Sequence, residues 1–173
     1  PRRVDNSYEF KTVFEINPPF IVKFDNNMGA PDEVSFDELS SWTKHTDPGI
    51  KYYSGSASYN KKVVIPERMV SKDDAYFIDL GYLRELAEVR VNDKSAGITW
   101  SPPFRLNITG MLKPGENKIE IIVINFWPNR IIGDLNLPEE RRITKTNIRK
   151  FTEDSPLMES GLFGPVKILV RQK

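Results

Sequence analysis

The chain has 173 residues, 39% hydrophobic and 28% charged, a composition that fills a core and excludes a disordered tract. Its 25 Lys and Arg against 24 Asp and Glu leave a net charge of +1, without the basic excess on which general nucleic-acid affinity rests. It has no cysteine and one histidine, His45, which excludes disulfides, thiolate zinc sites and multi-histidine metal centres together. No apolar run approaches the roughly 20 residues of a membrane-spanning helix. The opening Pro1-Arg2-Arg3 carries neither a start methionine nor a signal peptide, so the chain reads as a segment of a longer precursor, with residues 1–173 forming one domain.

In chain order, Tyr8, Phe10, Phe14 and Ile16 share one face at period two and predict a half-buried strand, ended by Pro18-Pro19. Residues 20–24 predict a second strand, closed by the turn-forming run Asp25-Asn26-Asn27-Met28-Gly29. Residues 35–39 fit a short helical turn capped by Ser35. Runs rich in β-formers follow at 50–53, 57–65 and 75–80, divided by Ser54-Gly55 and Pro66. Residues 82–85 are compatible with one helical turn. Residues 86–91 alternate apolar with charged side chains, and Asn92-Asp93-Lys94 supplies a hairpin turn. Residues 117–125 place Ile119, Ile121 and Val123 on one face and Ile122 and Ile124 on the other, which predicts a central strand covered on both sides. Residues 164–170 form a last strand. Many short strands separated by polar turns predict an all-β fold, a β-sandwich or jelly roll.

Several ordered motifs carry a resemblance. Tyr53-Ser54-Gly55-Ser56-Ala57-Ser58-Tyr59 resembles the Y-S-G-x-A-x-Y motif of the sugar-binding jelly rolls in family-two-type glycoside hydrolases. Phe77-Ile78-Asp79-Leu80-Gly81 and Ala87-Glu88-Val89-Arg90-Val91-Asn92 are similar to the paired strands of that domain, with Asp93 where its turn has glycine. Gly97-Ile98-Thr99-Trp100-Ser101-Pro102-Pro103-Phe104 and Leu112-Lys113-Pro114-Gly115-Glu116-Asn117 match the elements that follow, with Asn107 in place of the family's Asp. Residues 125–134 and 160–166 resemble the closing β-sandwich of large α-L-rhamnosidase-like glycoside hydrolases. The resemblance implies a galactose-binding-domain-like jelly roll that accompanies a catalytic barrel in a bacterial polysaccharide-degrading enzyme.

A glycosidase needs two carboxyl groups flanking the scissile bond. In the families resembled these belong to the barrel, and Glu88 and Glu120 read as outward-facing strand residues, so no catalytic residue is expected here. Sugar binding is the more plausible site activity. Pyranose rings lie on aromatic faces while their hydroxyls take polar partners. Trp42, Tyr52, Tyr53, Trp100 and Trp127 are the candidate platforms, and Asn92, Asn125, Asn129, Arg130 and Asp134 the candidate polar groups. Tyr59, Phe77 and Phe104 read as core. So do Trp100 and Trp127 before they read as platforms, since large aromatics are mostly buried. Arg130 and Asp134, four apart in a predicted loop, read as a structural salt bridge ahead of a sugar clamp or a domain contact.

Asp25, Asn27 and Asp32 are oxygen ligands of the kind a structural calcium takes, but their spacing matches no defined loop and an ordinary turn is preferred. No other cofactor is expected. His45 reads as a solvated loop residue. Arg141, Arg142, Lys145, Arg149 and Lys150 form a basic stretch without interleaved aromatics, read as a solvated loop or a domain contact rather than a nucleic-acid site. Asn107-Ile108-Thr109 is a glycosylation acceptor by pattern alone. The expectation is a non-catalytic accessory β-sandwich, periplasmic or extracellular, whose partners are the catalytic barrel of the parent chain and an oligo- or polysaccharide. The alternatives are an autonomous carbohydrate-binding module and a protein-interaction or adhesion sandwich.

Overall fold

The computed structural model describes residues 9–147 and 149–171; Pro1-Arg2-Arg3 and Tyr8 lie outside them. In chain order the elements are β1 (Phe10–Ile16), β2 (Phe20–Phe24), β3 (Glu33–Phe36), α1 (Pro48–Lys51), β4 (Ser56–Ile65), β5 (Tyr76–Asp79), β6 (Tyr82–Arg84), β7 (Leu86–Val91), β8 (Lys94–Thr99), β9 (Arg105–Asn107), β10 (Gly115–Ile124), α2 (Pro128–Leu135), β11 (Gly161–Gly164) and β12 (Val166–Arg171). They make an antiparallel β-sandwich. Its larger sheet has the order β3-β2-β4-β10-β7-β8, its smaller one β1-β12-β5-β9, and β11 pairs with β6 in a two-stranded ribbon. The long strands β4 and β10 pair along their whole length, Gly115 opposite Ile65 and Ile124 opposite Ser56.

Alternation decides what is buried. Phe20, Val22 and Phe24 of β2, Ala57 and Tyr59 of β4, Val89 and Val91 of β7 and Ile119, Ile121 and Val123 of β10 point inward, where they meet Ile16, Ile78, Val166 and Ile168 of the smaller sheet. Burying each of the larger side chains contributes about 1.5–3 kcal/mol. The hairpin between β7 and β8 turns on Asn92 and Asp93, both at positive φ (51° and 64°), as a two-residue turn of matching twist requires. Between Val89 and Arg90 the β7–β8 register shifts by a bulge.

A polar knot lies inside the apolar core. The Tyr59 hydroxyl accepts hydrogen bonds from the Trp42 indole N–H and, at 3.2 Å, from the Leu162 amide, so one oxygen ties β4 to the turn at Trp42–Lys44 and to β11. Gly161 lets Trp42 approach: its φ is +101°, and a Cβ there would lie 2.6 Å from the indole nitrogen.

The structure departs from the sequence pattern at particular places. Residues 48–51 form α1 rather than a strand, because Asp47 caps the Gly49 amide at 2.7 Å and Pro48 opens the first turn. Ser35 belongs to β3 and residues 82–84 to β6, so neither predicted helical turn forms. A bulge between Thr12 and Phe14 breaks the period of β1. Phe10 therefore faces outward, edge-on to Phe77 at 5.1 Å, and Phe77 is half-buried on that outer face rather than in the core with Tyr59 and Phe104. On β10, Ile122 is half-buried and Ile124 exposed, so the second face of this central strand is uncovered.

Replacing Tyr59 by Phe strands two buried N–H donors, and the expected loss is about 2–4 kcal/mol by urea unfolding. Burial also pushes the Tyr59 phenol far above its usual value, and raises that of Tyr53. The unfolded phenols ionise near pH 10 while the native ones do not, so stability holds below about pH 10 and falls above it. The Tyr59→Phe chain should show a shallower alkaline decline.

Candidate functional site

The end of the sandwich where β10 finishes carries most of the candidate residues. Asn125 follows β10 directly and is buried; its Oδ1 accepts from the Gly55 amide at 2.8 Å and its Nδ2 donates to the Tyr53 carbonyl at 2.9 Å. It pins the loop ahead of β4. Tyr53 is fully buried, its hydroxyl donating to the Ser56 carbonyl and accepting from the Asp25 amide. Trp42 and Tyr53 pack edge-on with each other and with Phe24, at ring separations of 4.8–5.7 Å. Neither presents a face on which a sugar could lie; both belong to the core.

Residues 128–135 are helical where a loop was predicted, and the i,i+4 spacing that joins Arg130 to Asp134 makes them one helical face. Pro128 opens α2, and a buried face of Asn129, Arg130 and Asp134 turns toward its neighbours. Arg130 Nη2 lies 3.1 Å from Asp134 Oδ1 with both side chains 4% exposed. The Arg130 amide donates to Ser54 Oγ, and its guanidinium carbon stands 6.0 Å from the Tyr52 ring centre. Gly133 permits that closeness, since a Cβ there would lie 2.6 Å from both Tyr52 and Arg130.

The polar face of α2 also holds the long connection to β11. Asp134 Oδ2 accepts from the Thr144 amide at 2.7 Å and hydroxyl at 2.6 Å. Asn129 clamps the Met158 backbone in both directions, at 2.7 and 2.8 Å. Asn136 donates to the Ile132 and Glu153 carbonyls. Asn129, Arg130 and Asp134 are thus occupied in fixing a helix and a strap. Asn92 is similarly engaged, donating to Met111 and Asn117 and accepting from the Lys118 amide.

Trp100 and Trp127 stand apart, 71% and 58% exposed, and with them Phe126 at 56%, a residue the sequence pattern did not single out. Trp100 follows the inward Thr99 on β8 and so points outward. His45 is half-buried, stacked on Phe36, with Nδ1 accepting from the Asp47 amide. Asp25 Oδ1 accepts from the Asn27 amide and side chain, closing a turn, and among the described residues no group of three or more acidic or histidine side chains is placed to hold a metal.

The outer face of the larger sheet is divided. Toward the β4–β10 end nearest Ile65, Lys62 pairs with Glu116 at 3.0 Å, Lys118 with Asp93 at 2.8 Å and Arg90 with Glu88 at 2.9 Å, and the bond from Arg90 holds the Glu88 carboxyl below the usual carboxylate range. Toward the α2 end, Ile124 lies between Ser56 and Leu86, Ile122 between Ser58 and Glu88, and Ile98 opposite Glu88, with the exposed Trp100 directly after β8. Here the exposed Ile98, Trp100 and Ile124 and the half-buried Ile122 stand among Ser56, Ser58 and the ion-paired Glu88.

Together, the antiparallel sandwich and its helix-capped end make an all-β fold that matches β-sandwiches within glycoside hydrolases. No family model matches the chain. It is similar to the rhamnosidase from Novosphingobium sp. PP1Y, with a TM-score of 0.88 and 33% identity over 98% of this chain and 16% of that one. It is also 37% identical to a Formosa agariphila protein provisionally named a beta-glucuronidase, over 86% of this chain and 15% of the relative's length. A beta-glucuronidase from an uncultured Clostridium sp. shares the fold, with a TM-score of 0.64 and 20% identity. A rhamnosidase and beta-glucuronidases are therefore among the structural neighbours, and the chain spans about one sixth of the first two relatives.

Breaking the Arg130–Asp134 pair from one side leaves a buried charge. Arg130→Met should cost about 3–5 kcal/mol by urea unfolding, and Arg130→Met with Asp134→Asn, which keeps an acceptor for Thr144, should recover much of it.

Proposed function

We propose that the chain is a non-catalytic accessory β-sandwich of a carbohydrate-degrading glycoside hydrolase, acting outside the cytoplasm. It packs against the catalytic domain of its parent chain, and the end carrying Trp127 borders the substrate. The observation that carries this reading is the divided outer face of the larger sheet. Ile98, Trp100 and Ile124 are exposed and Ile122 half-buried toward the α2 end, whereas the Lys62–Glu116 and Lys118–Asp93 pairs lie toward the other end beside the exposed Val64. An apolar face of this kind marks a contact site, and domain contacts within one chain bury on the order of 600–1,500 Å². The relatives support it through their length, since the matched part is a small share of each.

A second reading, an autonomous carbohydrate-binding module, draws on Phe126 and Trp127, adjacent and exposed at the head of α2. The two readings separate by experiment. Trp100→Asp should change the stability of the chain alone by no more than about 0.5 kcal/mol. In the full-length hydrolase the same substitution should speed hydrogen exchange along β7, β8 and β10, where docking had protected them. Unchanged exchange there would refute docking. Saturable quenching of tryptophan fluorescence by a neutral polysaccharide, abolished by Trp127→Ala, would establish the module instead.

A further inference from the structure

Between α2 and the strap that follows it lies a cavity of about 550 Å³, within the usual range of small-ligand sites. Ile131 and Leu135 of α2 give it an apolar wall, and the half-buried Phe151 ring faces the same space. Arg142, Lys145 and Arg149 line it from the strap, and among the described residues none of the three has a carboxylate within ion-pair distance. Arg142 is braced by its Nε–H donating to the Leu137 carbonyl at 3.2 Å. The acids at the rim do not cancel them. Asp134 is committed to Arg130 and Thr144, which leaves the exposed Glu139 against three cations.

We infer that this cavity is a binding site for an anionic sugar unit of a glycan, one carrying a carboxylate or a sulfate ester. Guanidinium and ammonium groups recognise the anion, and the Phe151 ring offers an apolar surface for the C–H face of the sugar. The strap is held in place by Asp134, Asn129 and Asn136, so the cations are presented by a segment tied to α2 at several points. The choice of a glycan over another polyanion rests on the carbohydrate context proposed above, while the anion preference rests on the cavity alone and is independent of the sheet face.

Calorimetric titration of the 173-residue chain tests it, with a uronate oligosaccharide, a sulfated oligosaccharide, the unsulfated parent of the latter, and inorganic sulfate as probes. At least one acidic oligosaccharide should bind about tenfold more tightly than the neutral one, and weaken as salt rises. Preference for the uronate or for the sulfated probe identifies the anion. Lys145→Gln with Arg149→Gln should remove that preference while leaving the urea midpoint in place, and Lys145→Arg should retain it. Equal binding of neutral and acidic probes would overturn the proposal, as would an unaffected double variant. So would inorganic sulfate binding as tightly as the acidic sugars, because the cavity would then be a general anion trap. None of these results bears on exchange at β7, β8 and β10, so the failure of this site and of the docking reading are distinguishable.

Discussion

A buried charge pair, Arg130 with Asp134, organises the working end of this sandwich. Desolvating two ions costs several kcal/mol each, and the mutual attraction offsets that only where the remaining hydrogen-bonding capacity is met. Here Asp134 gains the Thr144 amide and hydroxyl, and the Arg130 amide gains Ser54. Arg130 Nε and Asp134 Oδ1 have no hydrogen-bond partner among the described residues, so the two side chains are joined as an ion pair at 3.1 Å. The pair thus helps to join the loop before β4, the helix α2 and the strap, alongside Asn125, Asn129 and Asn136. A hydrophobic pair of equal volume would fill the space but would not specify which residue of the strap arrives there.

The opposite strategy operates at the centre of the fold. There the polar atoms are neutral and few, and the Tyr59 hydroxyl satisfies two donors drawn from segments more than a hundred residues apart in sequence. The core consequently tolerates a tryptophan and two tyrosines at full burial without unpaired N–H groups at Trp42 or Leu162. A buried charge pair helps to hold the end of the sandwich and neutral hydrogen bonds hold the middle, so substitution of a single charge disturbs the end, while burial shields the pair from salt.

The strands were legible because alternation is a local signal. Residues 57–65, 86–91 and 117–125 show it plainly, and all three are strands of the larger sheet. The bulge in β1 was not legible, because one extra residue reverses the facing of Phe10 without altering composition. Helix α2 was hidden by its brevity and by Gly133, although Pro128 and the Arg130–Asp134 spacing were the available signs. The aromatics divided in a way that pattern alone could not settle. Trp42 and Trp100 both adjoin loop residues, yet Trp42 is drawn under Gly161 by a distant contact while Trp100 takes the outward parity that Thr99 imposes. For the candidate site, residue types were legible and their employment was not. Asn125, Asn129, Arg130 and Asp134 lie toward one end, but their hydrogen bonds run to backbone, Ser54 and Thr144.

The bulge between β7 and β8 bears on how this chain can meet another. Strand β8 is an edge of the larger sheet, and an edge with a regular row of free amides and carbonyls recruits foreign strands. The register shift after Val89, with Gly97 opposite it at φ +111°, interrupts that row and twists the margin away from a flat template. A neighbour is therefore steered off the rim and onto the broad side of the sheet, where Ile98 and Trp100 stand. At this edge, crowded copies of the chain meet a broken margin in place of a regular template for strand-on-strand growth.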